Sequence, residues 1–562
     1  MNPRDTISGR RSGSWPFGLV VILSLCCLAG CETPGDDAEH PKLVLLIVVD
    51  QLRGDFLDRY GERLEPGGLR RLTEAGVHYR QAHFRHGITA TAPSHTTIVT
   101  GAHPAIHGLV GNNWVDPETG ESVYCVQDQR HRLLGEATHA RDGVSPALVE
   151  AETVGDVLAE ISEGESRVFG VSFKDRGAIL LAGRAGKAFW YSRRTGRFVT
   201  SDYYYPETPP WLDEFNGGDP AGAYRQMAWT LSREPGDYRF FDRDDQPWER
   251  DYRGLGRVFP HELGRTSDFY SALRFTPFAD QLTLAAVAAL MEAEAIGRRS
   301  GPDLLALSLS ATDYVGHAFG PDSLEAEDNM FRLDRLIAEL LALAERQTGP
   351  GRTLVILTSD HGVPSAPEYL QQQGEPVARI DTPGMIARLN QQLREEMALD
   401  FDPILRFYNP ALFLDLPRLI RAGIDTGRLE RRVAVLAEAE PGIQFAFAAG
   451  DLRGAAGDGS PMGELARASI RADRAGQVYL VQAPGWHLHA QPQVHAAMHS
   501  SPHPYDTHVP IVVMGPGIEA QTVTRPVGVE SLAASIAAYL DLPAPAQASD
   551  ELLPELIPAR SP

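Results

Sequence analysis

The sequence predicts an α/β fold with a mostly parallel central sheet. Three observations carry this expectation. Several apolar, β-branched runs are continuous rather than alternating, as strands buried on both faces must be. Each run ends in, or leads toward, polar residues. Amphipathic stretches of helical period, such as Gln281 to Ile296 and Leu324 to Glu345, lie between them, which is the pattern of βαβ units.

In chain order, Lys42 to Val49 (KLVLLIVV) ends in Asp50. Val168 to Phe173 leads into Lys174-Asp175-Arg176, Leu304 to Leu309 toward Asp313, and Thr353 to Leu357 into Ser359-Asp360-His361. Ligands of such folds bind beyond the carboxyl ends of the strands, where these polar residues are expected. Two regions break the alternation. Residues 188–276 are rich in aromatics, proline and Asp/Arg, and residues 363–502 hold their own helices and strands, including Asp425 to Ala439 and Gln477 to Gln482. Both are expected as insertions shaping the rim of a cleft, within a catalytic domain spanning 42–545. Residues 546–562 are expected as a C-terminal tail, loose from Pro554 onward.

The 562 residues are 43% hydrophobic and 22% charged, enough for a large core. The net charge of -22 argues against a nucleic-acid partner. It leaves an anionic substrate open, because bound metal can reverse the local field.

Residues 1–30 have the form of a signal peptide. Arg10 and Arg11 precede an apolar run, Phe17 to Leu28, that is short for a membrane span. Leu28-Ala29-Gly30-Cys31 resembles a bacterial lipobox. That resemblance implies cleavage before Cys31, lipidation of its thiol and a polar tether over 31–41; the competing reading is an uncleaved signal anchor. The expected location is the cell envelope, facing the periplasm, with membrane attachment through the lipid alone. Of the four cysteines, Cys26, Cys27, Cys31 and Cys125, only Cys125 would then remain free. The mature domain has no intramolecular disulfide on this reading, and any metal site must use histidine and carboxylate.

Asp50, directly after a buried strand, suits a metal ligand, a helix cap or a turn. Asp313 and His317 can approach one cation if a helix follows the strand, although a lone Asp-x-x-x-His more often holds a structural histidine. Asp360-His361 at a strand end, and His508 just before another apolar run, complete a set of oxygen and nitrogen donors. Such a set suits catalytic zinc in preference to manganese or iron. Thr91-Ala92-Pro93-Ser94-His95 has the form of a helix start with Thr91 as N-cap. A helix N-terminus favours phosphate, and a metal-activated hydroxyl there is a nucleophile. Ser94 is the rival hydroxyl.

Asp50, Thr91-Ala-Pro-Ser-His95, Thr100-Gly101, Pro104-Ala-Ile-His107-Gly108, Asn112, Asp313-x-x-x-His317, Asp360-His361-Gly362 and Thr507-His508-Val-Pro510 occur in the order of the alkaline phosphatase superfamily. The set resembles its nucleotide pyrophosphatase/phosphodiesterase branch and, most closely, its PafA-type bacterial phosphatases. The resemblance runs from about Lys42 to about Leu540. It implies a three-layer sandwich with insertions forming a cap over the cleft. It also implies two zinc ions, one held by Asp313, His317 and His508, the other by Asp50, Asp360, His361 and the Thr91 oxygen. His95 and His107 match supporting positions. Thr91 is implied to be the nucleophile, passing through a phosphothreonine, with Asn112, Lys174 and Arg176 binding the phosphoryl group. Lys174 and Arg176 favour a monoester dianion, which offers three nonbridging oxygens. The expected activity is therefore an alkaline phosphatase acting on a small phosphate ester. The alternatives are a phosphodiesterase or nucleotide pyrophosphatase with the same metals, and a non-catalytic envelope lipoprotein.

Overall fold

The computed structural model describes residues 41–139, 142–454 and 459–557. The signal peptide, Cys31 and all of the tether but Pro41 lie outside the described residues. Among the described residues no helix is long and apolar enough to cross a membrane.

An 11-stranded sheet organises the chain. Its centre consists of five parallel strands in the order Thr353–Thr358, Leu43–Val49, Asp303–Leu309, Val168–Ser172 and Lys187–Tyr191. The strand Leu43–Val49 shows why three layers form. All seven residues are buried, and they alternate between two cores. Leu43, Leu45, Ile47 and Val49 face helices Phe278–Ala293 and Leu324–Thr348. Val44, Leu46 and Val48 face helices Thr91–Thr100 and Ser531–Tyr539. Each side chain gains roughly 1.5–3 kcal/mol from leaving water, so a polar residue anywhere in this strand would be costly. The first polar residue, Asp50, comes where the strand stops.

Two boundaries differ from expectation. The sheet does not stop at residue 188: Lys187–Tyr191 pairs parallel with Val168–Ser172, and Phe198–Ser201 then pairs antiparallel with it. The aromatic residues here are strand chemistry, not the mark of an insertion. Residues 363–502 do build a separate sheet, four-stranded, of Ile404–Tyr408, Ala411–Leu414, Val478–Gln482 and Ile443–Ala448. Helices Thr382–Met397 and Thr426–Glu438 close its core. This unit packs Leu452, Ala466 and Tyr479 on Ile88 and Ala90, just ahead of Thr91, and Tyr479 donates its hydroxyl proton to the Gly87 carbonyl at 2.6 Å. Finally, the tail is packed as far as Leu556. Leu553 and Leu556 are buried against the sheet, the Leu553 amide donates to Ser535 Oγ at 2.9 Å, and Glu555 accepts from Tyr79 and Arg525. Two leucines at helical spacing outweigh the terminal prolines.

Candidate active site

The polar strand ends meet at one edge of the sheet. Asp50 follows Leu43–Val49 directly. Asp313 and His317 lie four residues apart on helix Ala311–Phe319, hence on one face. Lys174 precedes helix Asp175–Ala182, and Asp360-His361 follows Thr353–Thr358. Thr91 is the first residue of helix Thr91–Thr100 and not, as expected, its N-cap; extended Ala90 takes that place. The reason is a substitute cap. Asn112 Oδ1 accepts from the Ala92 amide at 2.9 Å, which leaves the Thr91 hydroxyl uncommitted to its own helix. The Arg176 guanidinium donates to Thr91 Oγ1 at 3.5 Å. Ser94 lies inside the first turn, fully buried.

The imidazoles around the cluster are oriented alike. His317 Nδ1 donates to the Ala497 carbonyl at 2.9 Å, His499 Nδ1 to that of Thr89 at 2.7 Å, and His361 Nδ1 to that of Gly362 at 3.0 Å. Each Nε2 is thereby left as a lone pair. Those lone pairs face carboxylates: His317 Nε2 is 3.0 Å and His499 Nε2 3.7 Å from Asp313 Oδ1. His361 Nε2 is 3.5 Å from Asp50 Oδ1 and 3.4 Å from Asp360 Oδ2. His361 Nε2, both Asp50 oxygens and Asp360 Oδ2 are buried without a hydrogen-bond partner, although Lys174 Nζ is 2.5 Å from Asp50 Oδ2. Lone pairs pointing at lone pairs in a dry interior need a proton or a metal ion between them. Two groups meet the spacing, Asp313/His317/His499 and Asp50/Asp313/His361. The site is thus built for metal.

Electrostatics agree. Burial, with Asp313 and Asp360 beside it, drives the Asp50 carboxyl well above the usual range despite Lys174. Burial also acts on Asp313 and Asp360, but His317 and Lys174 hold Asp313 well below the usual range, and His361 and His95 do the same for Asp360. Burial pushes His361 down, and His499 well down. For His361 and His499 burial thus favours the neutral form that a metal ligand needs.

His508 is not in this cluster. Its ring stacks on His83 and lies so close to Gly54 that a Cβ there would sit 2.5 Å from it, while its Nε2 donates to the Arg80 carbonyl at 2.8 Å. His499 stands where His508 was expected. It comes from the loop returning from the second sheet, beside Ser500 at φ 87°, so no strand end marks it. The only sequence signal is the density of histidines from 487 to 508. Gln51 was also missed. At φ 67° it turns its amide N–H to Asp360 Oδ1 (3.1 Å) and its side-chain amide to Asp313 Oδ1 (2.8 Å). Gly316 makes room for it, since a Cβ there would collide with Gln51 Oε1. His95 Nδ1 donates to the Thr91 carbonyl at 2.9 Å and its Nε2 accepts from Ser308 Oγ at 2.9 Å, and His107 pairs with Thr97 Oγ1, both outside the two metal-ligand groups.

A parallel sheet whose strand ends gather carboxylates and imidazoles for metal, beside a hydroxyl on a helix N-terminus, defines a metal-dependent enzyme of the alkaline phosphatase superfamily. The chain belongs to the type I phosphodiesterase / nucleotide pyrophosphatase family, whose model matches residues 44–506. It is 31% identical to alkaline phosphatase PhoV of Synechococcus elongatus, over 92% of this chain and 93% of that one. It is 30% identical to alkaline phosphatase PafA of Elizabethkingia meningoseptica, over 97% and 98%. The crystal structure of PafA superimposes with a TM-score of 0.86, covering 93% of this chain and all of that one. A solved PafA mutant is altered at a threonine, an asparagine, a lysine and an arginine that follow one another at the same intervals as Thr91, Asn112, Lys174 and Arg176.

Proposed function

We propose that the protein is a zinc-dependent phosphate monoester hydrolase that passes the phosphoryl group through Thr91. The observation that carries this is the buried cationic pair beside the hydroxyl: Lys174 Nζ lies 2.6 Å from Asp313 Oδ2, and Arg176 reaches Thr91 Oγ1. Asp313, His317 and His499 would hold one zinc ion, and Asp50, Asp360, His361 and Thr91 Oγ1 the other. When bound, such ions supply Lewis-acid charge and lower the pKa of neighbouring hydroxyls.

The protein's own residues position the rest. The Thr91 oxygen attacks phosphorus in line with the departing ester oxygen; a Thr91 Oγ–P bond forms as the P–O ester bond breaks. Helix Thr91–Thr100 points its N-terminus at the incoming dianion. Asn112, with its oxygen engaged by Ala92, has no partner for its side-chain N–H groups among the described residues, and these would donate to a nonbridging oxygen. Arg176 and Lys174 provide fixed charge for the other two. Water then attacks from the vacated side, releasing inorganic phosphate and restoring Thr91. A diester, with one nonbridging oxygen replaced by an alkoxy group, would meet the pair poorly.

The lipobox-like Leu28-Ala29-Gly30-Cys31 supports attachment to a cell-envelope membrane, and the intact mass of the mature chain would show the lipid on Cys31.

The test is kcat/KM for phenyl phosphate against methyl phenyl phosphate. A monoester preference of several orders of magnitude is expected. A diester preference would leave the metal cluster and Thr91 in place but assign the protein to diester hydrolysis.

A further inference from the structure

A cavity of about 580 Å³ opens off Lys174 and Arg176. Its walls are unusually rich in arginine: Arg193, Arg194 and Arg274 join Arg176. Of the carboxylates lining it, Glu136 and Asp142 are both engaged by Arg194, and Asp175 accepts from the Tyr124 hydroxyl at 2.5 Å. Among the described residues, Arg193 and Arg274 have no carboxylate within ion-pair distance, although Asp268 feels the charge of Arg274; the lining carries five cations, Lys174 and four arginines, against three carboxylates.

Arg274 is held in place. Its Nε donates to the Ser271 carbonyl at 3.2 Å and its Nη1 to the Tyr314 hydroxyl at 3.4 Å. Its guanidinium carbon lies 5.0 Å from the centre of the Tyr314 ring, and Lys174 Nζ lies 5.1 Å from the same centre. Tyr314 is the residue after Asp313. One ring therefore links the phosphoryl-binding lysine to a second, oriented cation further out, and Arg274 Nη2 has no hydrogen-bond partner among the described residues.

We propose that Arg274, assisted by Arg193, forms a subsite for a second anionic group carried by the leaving group, so that the preferred substrates are phosphate monoesters bearing another phosphate or a carboxylate. This rests on the phosphatase reading above and names the substrate class for that site. The overall charge of -22 repels such polyanions in general, which makes a local cationic wall decisive for them.

The experiment compares kcat/KM for propane-1,3-diol bisphosphate, 3-carboxypropyl phosphate and propyl phosphate, in the wild type and in Arg274→Ala, Arg274→Gln and Arg193→Ala. The wild type is expected to prefer both doubly anionic substrates over propyl phosphate. That preference should fall about tenfold in Arg274→Ala and Arg274→Gln, as expected for one lost charged hydrogen bond, and by less in Arg193→Ala. A preference for the bisphosphate alone would assign the subsite to phosphate, and for the carboxylate alone to carboxylate. Arg274→Gln retains a donor for Tyr314 and guards against misfolding. An unchanged preference in both Arg274 variants, or none in the wild type, would overturn the subsite and leave the phosphatase intact. Failure of the wild type to hydrolyse propyl phosphate while cleaving a diester would overturn the phosphatase reading and the subsite together.

Discussion

Two buried clusters in this protein pose the same electrostatic problem and solve it differently. In the active site, imidazole Nε2 atoms whose Nδ1–H is spent on backbone carbonyls face the carboxylates of Asp50, Asp313 and Asp360. Behind the insertion, His261 also spends Nδ1–H on a carbonyl, that of Leu255 at 3.2 Å, and faces Glu325 Oε1 with Nε2 at 3.1 Å. Glu325 Oε2 and Glu249 Oε1 are buried without partners. At His261 a proton is the solution. Burial drives Glu325 well above the usual range and, with Glu325 nearby, lifts Glu249 to about 9, while burial lowers His261 to about 4. A protonated Glu325 can donate to neutral His261. In the active site that route is closed at Asp313 and Asp360, which Lys174 and the neighbouring imidazoles hold well below the usual carboxylate range, while only Asp50 is driven upward. What the second cluster completes with protons, the first completes with metal. What separates the two clusters is the neighbouring charge that holds Asp313 and Asp360 low, which Glu325 and Glu249 lack.

The largest effect that would sharpen this comparison is loss of a ligand. Asp360→Asn or His499→Ala is expected to lower monoester kcat/KM by about 10³ or more, whereas His508→Ala should stay within about threefold of wild type; steady-state kinetics at saturating zinc decide it. Equal losses at His499 and His508 would break the assignment.

Lys174→Ala should come next, costing about 10²–10³ in monoester kcat/KM while sparing diester hydrolysis. Parallel losses on both substrates would make the lysine a mere counter-charge for Asp50 and Asp313.

Smallest is the effect of Glu249→Gln, expected to leave activity unchanged and to act only on stability. The folded Glu249 binds its proton up to about pH 9, whereas an unfolded glutamate releases it near about 4.3. The raised group therefore contributes stability that is complete below the unfolded value and is lost as pH rises through about 9. Thermal melts from pH 5 to pH 9.5 should show the wild type falling on the alkaline side, and Glu249→Gln falling less, by about 1–2 °C. Identical profiles would show that Glu249 is ionised in the fold.

Much of the α/β frame was legible in the sequence, because strands buried on both faces leave continuous apolar runs and the polar residue that ends each run marks the sheet edge. Leu43–Val49 with Asp50, and Thr353–Thr358 with Asp360-His361, are instances. Where the site departs from that geometry, sequence logic failed. His499 arrives on a loop shaped by Ser500 in the left-handed region, and Gln51 owes its role to a positive φ, neither of which has a periodic signature. His508 was favoured because it begins an apolar run, yet nothing in that run states which face its side chain takes. The packed C-terminus was hidden because Leu553 and Leu556 are too few to form a pattern.

Native mass spectrometry of the zinc-equilibrated full-length protein tests the central claim most directly. Two zinc ions per chain are expected in the wild type and in Glu249→Gln, and fewer in Asp360→Asn. A folded wild type that binds no zinc, or a Glu249→Gln variant that loses it while Asp360→Asn does not, would contradict the assignment of metal to the Asp50/Asp313/Asp360 cluster.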